Sequence, residues 1–518
     1  MIKPRMSEAA SPEVPRARRE YWLVLLGLFA VVVFRAGVFV FWERAQFDAD
    51  QAITGLMAKH LAEGRAFPLF YYGQSYMLAV EAWLAAPLFA IAGASVTALK
   101  LPLLIINLVI VWLLLRGFVF DGGLRPALAA VPILVFALPA PGTAARFVEA
   151  MGGNVEPFLY ALLMWTLRRR PGWCGLVLGI GFLQREFSLY GFLALLTIEA
   201  LRGELFARDG LRRRLMTFRA AAEVWLVVYF LRQFSSAAGP GTTIDDLYVA
   251  RDNITELTSR MCLDPATALA GFRSIISTHW PILFGTASHP VSDFGINAGA
   301  TQGGVAASVL LVLMIGVPLL GLLLRLRRPL RLGAASAFSA FLVATAVFSI
   351  LGYVVGRCGV IEMHYTRYEL LSVVGLAGLW GWFLTAPPGS KPRTLSLAVP
   401  AVWFTLMAVP HVQMWTEYLR RPPLDVRRLI IAHLDARGIT RAASDYWIAY
   451  PTTFLSQERI IVRSEDFVRI QEYERLIDAG GGRVPRISRT PCETSGHQIV
   501  PRVYLCEPAP ERPRTGGD

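Results

Sequence analysis

The segment "FDADQAITGLMAKHL" (47–61) places two carboxylates, Asp48 and Asp50, where a long apolar run gives way to a loop. Acids so placed can cap the helix that follows or take a proton from an attacking hydroxyl. Asp48-Ala49-Asp50 also spells D-x-D, which soluble sugar-nucleotide transferases use to hold a metal–nucleotide. Those enzymes need a Rossmann-like domain that this sequence lacks, so the match is accidental for nucleotide binding. Far along the chain, "HYTRYELL" (364–371) sets Arg367 between Tyr365 and Tyr368, with Arg357 and His364 as further cations. A guanidinium fork suits phosphate oxygens, whereas the plain role of an arginine at a span end is snorkelling.

The elements that must bring these residues together are set by composition. The chain has 518 residues, 54% hydrophobic and 17% charged, which points to a polytopic α-helical membrane protein. The net charge of +13 does not indicate nucleic acid, because the basic residues form short clusters between apolar runs. Eleven stretches are apolar enough for spans: 21–42, 97–116, 126–141, 154–169, 172–185, 187–201, 219–236, 304–324, 332–355, 366–386 and 394–412. The first is too long for a signal-peptide core and reads as an uncleaved span. If "YMLAVEAWLAAPLFAIAG" (76–93) lies along the outer interface without crossing, every basic cluster falls on the cytoplasmic side.

This arrangement makes 1–20 a cytoplasmic tail and 21–412 the transmembrane domain. Loop 43–96 and the tail from 413 then face outward. Residues 413–508 read as a small α/β domain: "LDVRRLIIAHLDARG" (424–438) has helical spacing, and "SDYWIAY", "RIIVRS" and "PRVYLC" read as short strands. Residues 509–518 read as disordered. Cys492 and Cys506 lie in that tail and Cys262 and Cys358 in two outer loops, so two disulfides are expected, Cys492–Cys506 and Cys262–Cys358. Glu81, on the apolar 76–93 helix, is expected to face water or the site, since charge in the hydrocarbon is costly. A second outer loop, "GTAARFVEAMGGNVEP", carries Glu149, Asn154 and Glu156, and His60 reads as a helix-surface residue. No His/Cys/Asp cluster has structural zinc spacing.

Asp50-Gln51-Ala52, Gly55-Leu56-Met57-Ala58, Gly64, Pro68, Tyr72-Gly73-Gln74-Ser75-Tyr76, Glu81 and Ala86-Pro87 together resemble the first outer loop of bacterial GT-C glycosyltransferases. These are the integral-membrane relatives of protein O-mannosyltransferases and the lipid A aminoarabinose transferase. "HYTRYELLSVVGLAG" resembles that family's Arg-Tyr segment, and "ASDYWIAYPTTFLSQERIIV" its outer domain. The resemblance implies a GT-C-like fold of about eleven transmembrane helices, with juxtamembrane helices in the first outer loop and a small periplasmic α/β domain. It implies an inverting glycosyltransferase at the outer face of the bacterial inner membrane. The sugar would move from a polyprenyl-phosphate donor to an envelope acceptor: protein, lipid A or polysaccharide.

Asp50 maps onto the catalytic aspartate. The family's Asp-Glu pair is Asp50-Gln51 here, so Asp48 or Glu149 is left to cover the second carboxylate. Arg367, with His364, Tyr365, Tyr368 and Arg357, would hold the donor phosphate. Gln51, Tyr72, Gln74, Tyr76, Glu81 and Glu149 would contact substrate. No cofactor is fixed: some members use a divalent cation and others do not. A flippase for a polyprenyl-linked glycan is the alternative, although the inverted repeats and midplane charges of transporters are not seen.

Overall fold

The apolar runs fold as helices because a backbone surrounded by hydrocarbon must satisfy its own hydrogen bonds. The computed structural model describes residues 13–247, 254, 258, 261, 264–287, 305–324, 333–356, 363–385, 396–481, 483–493 and 495–507, without the side chains of 13–16 and 363–365. Each of the eleven expected segments lies on a helix. Among the described residues, five helices are long and apolar enough to cross a membrane: Ala17–Phe41, Val96–Asp121, Val305–Leu323, Ala334–Gly356 and Thr366–Thr385. The chain is therefore a multi-pass membrane protein. Pro126–Ala137, Pro171–Gln184 and Ser188–Leu201 are apolar but run only 12 to 14 residues. At about 1.5 Å per residue, each reaches roughly 20 Å of a core about 30 Å thick.

Segment 76–93 forms the 13-residue helix Val80–Ala92, which packs against Ala49–Ala62 and Val96–Arg116. At 13 residues it is as short as the three helices above. The first loop is therefore a pair of short helices laid on the bundle, with Ala49–Ala62 buried along most of its length.

The tail is α/β, with strands in "RIIVRS" and "PRVYLC" as expected and a helix in place of the third. β1 (Arg441–Ser444), β2 (Ile461–Ser464), β3 (Arg486–Ser488), β4 (Gly496–Val500) and β5 (Val503–Cys506) form one sheet in the order β2-β1-β3-β5-β4. β1 pairs in parallel with β2 and β3, and β5 runs antiparallel to β3 and β4. "SDYWIAY" is mostly helix, Tyr446–Leu455, because Asp445 caps it by accepting from Trp447 N at 2.9 Å. The amphipathic helix is Val426–Ala436, as its spacing predicts. Cys492 and Cys506 are disulfide-bonded, with Cα atoms 5.4 Å apart. Cys262, Cys358 and Arg357 lie outside the described residues.

The tail docks onto the first loop. Helix Ala49–Ala62 lies against Tyr446–Leu455 at Gly55, where an added Cβ would stand 2.6 Å from the Phe454 ring. Phe47 and Phe89 flank the same ring, with centroids at 5.5 and 6.2 Å.

Candidate active site

Helix Ala49–Ala62 begins at the acidic pair, and the two acids divide the work. Asp48 is the N-cap, its carboxylate accepting from Gln51 N at 3.0 Å. Asp50 sits in the first turn, where the positive helix end favours a carboxylate. Its Oδ1 accepts from the Tyr446 hydroxyl at 2.5 Å, and its Oδ2 lies 3.9 Å from the Arg367 guanidinium. Its own carbonyl accepts from the Tyr71 hydroxyl at 2.9 Å. Three segments far apart in sequence thus converge on one carboxylate: the first loop, the Arg-Tyr segment and the C-terminal α/β domain.

Arg367 is on the 3₁₀ stretch Met363–Ser372. It stacks on Tyr368 at 5.1 Å and donates to that residue's hydroxyl at 3.3 Å and to Met151 Sδ at 3.4 Å. Its Nε is a buried donor with no partner among the described residues. On the other side, Arg469 stacks on Phe467 at 4.3 Å and on Tyr71 at 5.5 Å. With the Gln74 amide turned to present its oxygen, Gln74 accepts from both terminal nitrogens of Arg469, at 2.9 and 3.0 Å. Burial pushes the Tyr446 and Tyr71 phenols well above their usual range, with the Asp50 charge adding to it. Both therefore stay protonated and act as donors. Burial, then the charges of Glu149 and Asp50, push Asp48 up to about 7.

Glu149 is closed by its neighbours. Arg146 donates to both its oxygens at 2.7 Å, Gln46 donates at 2.9 Å and Asn154 at 2.8 Å. Gln51 is buried, and its Oε1 accepts from Ala150 N at 3.4 Å.

Several sequence expectations move. Glu81 faces neither water nor Asp50: it is buried and accepts from Gly152 N at 2.6 Å and Gly153 N at 3.1 Å, tying the first loop to the second. His60 is not a surface residue but fully buried, its Nδ1 3.1 Å from the Tyr72 hydroxyl and its Nε2 2.9 Å from Glu458. Tyr72 is therefore committed to that interface, and Tyr76 is half-buried. The His364 and Tyr365 side chains lie outside the described residues. Tyr446, Arg469 and Tyr71 are the neighbours of Asp50 that sequence reasoning missed. The first stands in "ASDYWIAYPTTFLSQERIIV", the segment that carries the outer-domain resemblance.

His60, Glu458 and Glu472 bring one ligand atom each to within 4.8 Å of one another. Lys59 and Arg65 already pair with Glu458 at 2.5 and 2.8 Å, which makes this an ion-pair lock between the first loop and the C-terminal α/β domain. Around Asp50, Arg367 and Tyr446 face the two oxygens, and Glu149 is saturated. As arranged, these residues do not fit a divalent cation, and no step below runs through one.

No protein-family model and no curated protein matches the sequence. Among solved structures, the chain is similar to the apo Archaeoglobus fulgidus oligosaccharyltransferase, with TM-score 0.48 and 12% identity over 90% of this chain and 69% of that one. It is similar to archaeal oligosaccharyltransferase AglB from Archaeoglobus fulgidus in complex with an inhibitory peptide and a dolichol-phosphate, with TM-score 0.47 and 12% identity over 87% of this chain and 65% of that one. The chain spans about two thirds of the length of those archaeal proteins. It is also similar to apo ArnT from Cupriavidus metallidurans, with TM-score 0.41 and 12% identity over 91% of this chain and 93% of that one.

Proposed function

We propose that this chain is an inverting glycosyltransferase that moves a sugar from a polyprenyl-phosphate donor to an envelope acceptor at the outer face of a bacterial inner membrane. The observation that carries the proposal is the pairing at Asp50: a carboxylate at a helix N-terminus with a phosphate-binding type of cation 3.9 Å away. A phosphate leaving group departs without being protonated, so one base suffices and the acid of a glycosidase pair is unnecessary. Asp50 takes the proton of the acceptor hydroxyl. The freed oxygen bonds the anomeric carbon from the face opposite the phosphate, and the bond from carbon to phosphate oxygen breaks. The electron pair leaves with the phosphate, which Arg367 holds as its charge grows. The Nε of Arg367, without a partner among the described residues, is a donor in reserve for that anion.

In this reading Asp48 caps the helix, Gln74 anchors Arg469, and Glu149 and Glu81 hold the second outer loop in place. The outward placement of the first loop and the tail belongs to the proposal. Its test uses the purified chain in lipid nanodiscs with a radiolabelled polyprenyl-phosphate sugar and an envelope extract. Label appears in a new product, and Asp50→Asn lowers that transfer about 10²–10⁴-fold. No labelled product, or full transfer by Asp50→Asn, rejects the proposal.

A further inference from the structure

Tyr446 reaches Asp50 from a different domain, and the way it is held gives it a task. It is the first residue of helix Tyr446–Leu455, 6% exposed, with its backbone N–H donating to Asp466 at 2.8 Å. Its ring is wedged among Trp447, Tyr450 and Phe467, with centroids at 5.2, 5.2 and 5.8 Å. Arg469 and Tyr71 lie close enough to its hydroxyl to interact with it electrostatically. A phenol packed on this many sides cannot follow the carboxylate; the carboxylate must follow the phenol.

A free carboxylate at this position would behave differently. Rotation about χ2 of aspartate is soft and roughly two-fold, so either oxygen can turn toward a nearby cation. Arg367 lies just beyond hydrogen-bond reach of Oδ2 at 3.9 Å. Left to itself, Asp50 would close into a bidentate pair with that fork, which would occupy the base and the phosphate clamp together. The bond to Tyr446 opposes this closure.

We propose that Tyr446 is the positioning residue of the Asp50 base. It fixes Oδ1, so that Oδ2 takes the acceptor's proton and Arg367 stays available to the departing phosphate. The outer domain thereby completes the catalytic centre. This inference rests on the function proposed above, with the same bonds formed and broken and Tyr446 keeping its own proton throughout.

The test is Tyr446→Phe, which keeps the packed ring and removes only the hydroxyl. The expected result is a kcat lower by about 10–10²-fold with the donor KM little changed, the size of effect that a slightly misplaced catalytic group produces. In the Asp50→Asn background the same substitution costs nothing further, because the group it positions is already gone. Tyr450→Phe is the control: it removes a neighbouring buried phenol that accepts from the backbone N–H groups of Arg469 at 2.6 Å and Ile470 at 3.3 Å, and it leaves kcat intact. An unchanged kcat in Tyr446→Phe overturns the inference. So does an equal loss in the Asp50→Asn background, or a similar loss in Tyr450→Phe. Full transfer by Asp50→Asn alone would instead remove the proposed function itself.

Discussion

The ion-pair lock between the first loop and the C-terminal α/β domain invites a quantitative test through Glu458→Gln. The Glu458 side chain is 8% exposed and is held by Lys59 at 2.5 Å, His60 at 2.9 Å, Arg65 at 2.8 Å and Tyr473 at 3.0 Å. Gln457 and Glu458 both adopt left-handed backbone conformations, φ 57° and 61°, which side-chain-bearing residues take only when the surroundings impose them. Glutamine keeps the shape and can still accept from Tyr473, but it turns an amide toward two cations. A charge-assisted hydrogen bond contributes about 1.5–3 kcal/mol. The Arg65 pair, with that side chain 36% exposed, must be discounted to about 1 kcal/mol or less. The net cost is therefore about 2–4 kcal/mol, an increase in local opening of roughly 30- to 1,000-fold.

Burial pushes Glu458 up, but the His60 hydrogen bond and charge and then Lys59 overrule it and hold the carboxyl well below the usual range. Its stabilisation is thus present above the unfolded value near 4.5 and is lost as pH falls. Hydrogen exchange of peptides from 49–62 and 446–455 reads the opening directly, without assuming that a multidomain membrane protein unfolds in two states. Faster exchange at pH 7, with a gap that narrows toward pH 4, is expected. Exchange at pH 7 that matches wild type would refute the lock, and a gap independent of pH would refute its electrostatic basis.

Asp48 has the opposite sign. Its folded pKa is raised to about 7 from 3.8, so the native state holds the extra proton and loses stability as pH rises between those values. Asp48→Asn, which still caps the helix, is expected to raise the unfolding temperature at pH 8 but not at pH 4, and to reduce transfer less than Asp50→Asn. Arg367→Lys keeps the charge but loses the fork and the stacking on Tyr368, so transfer should fall about ten-fold or more; wild-type kcat would deny Arg367 the clamp. Gly55→Ala sets a methyl 2.6 Å from the Phe454 ring and should cost about 1–3 kcal/mol, visible as faster exchange in both docked helices.

What could be read in advance follows the range of the forces involved. Each apolar segment became a helix because hydrophobicity over about 20 residues is a local property. Asp48 as a cap was legible for the same reason, and the disulfide between Cys492 and Cys506 followed from compartment and proximity in sequence. The helix at Tyr446–Leu455 was not, because a tyrosine-rich run with a β-branched residue looks like a strand until Asp445 is recognised as its cap. Nor was the burial of His60 and Glu81. Their partners lie 398 residues away at Glu458 and 71 residues away at Gly152, distances over which spacing carries no signal. The same holds for Tyr446, which is 396 residues from Asp50.

Gln51 is where the chain departs from the Asp-Glu pair of the family it resembles, and the surroundings account for the change. The side chain is fully buried, with its oxygen toward Ala150 N at 3.4 Å, one residue beyond the closed carboxylate of Glu149. Asp48 already meets the charges of Glu149 and Asp50, strongly enough to be pushed up to about 7. A glutamate at position 51 would add another buried negative charge to that set, without a described cation to itself. The neutral amide fills the same volume and answers the Ala150 N–H without that penalty. Under the proposed function, a neutral group fills that place and Asp50 stands beside a cap, a phenol and a guanidinium. Gln51→Glu tests this directly. It should destabilise the loop at pH 8 more than at pH 5 without raising transfer, and a gain in transfer would show that a second carboxylate was wanted after all.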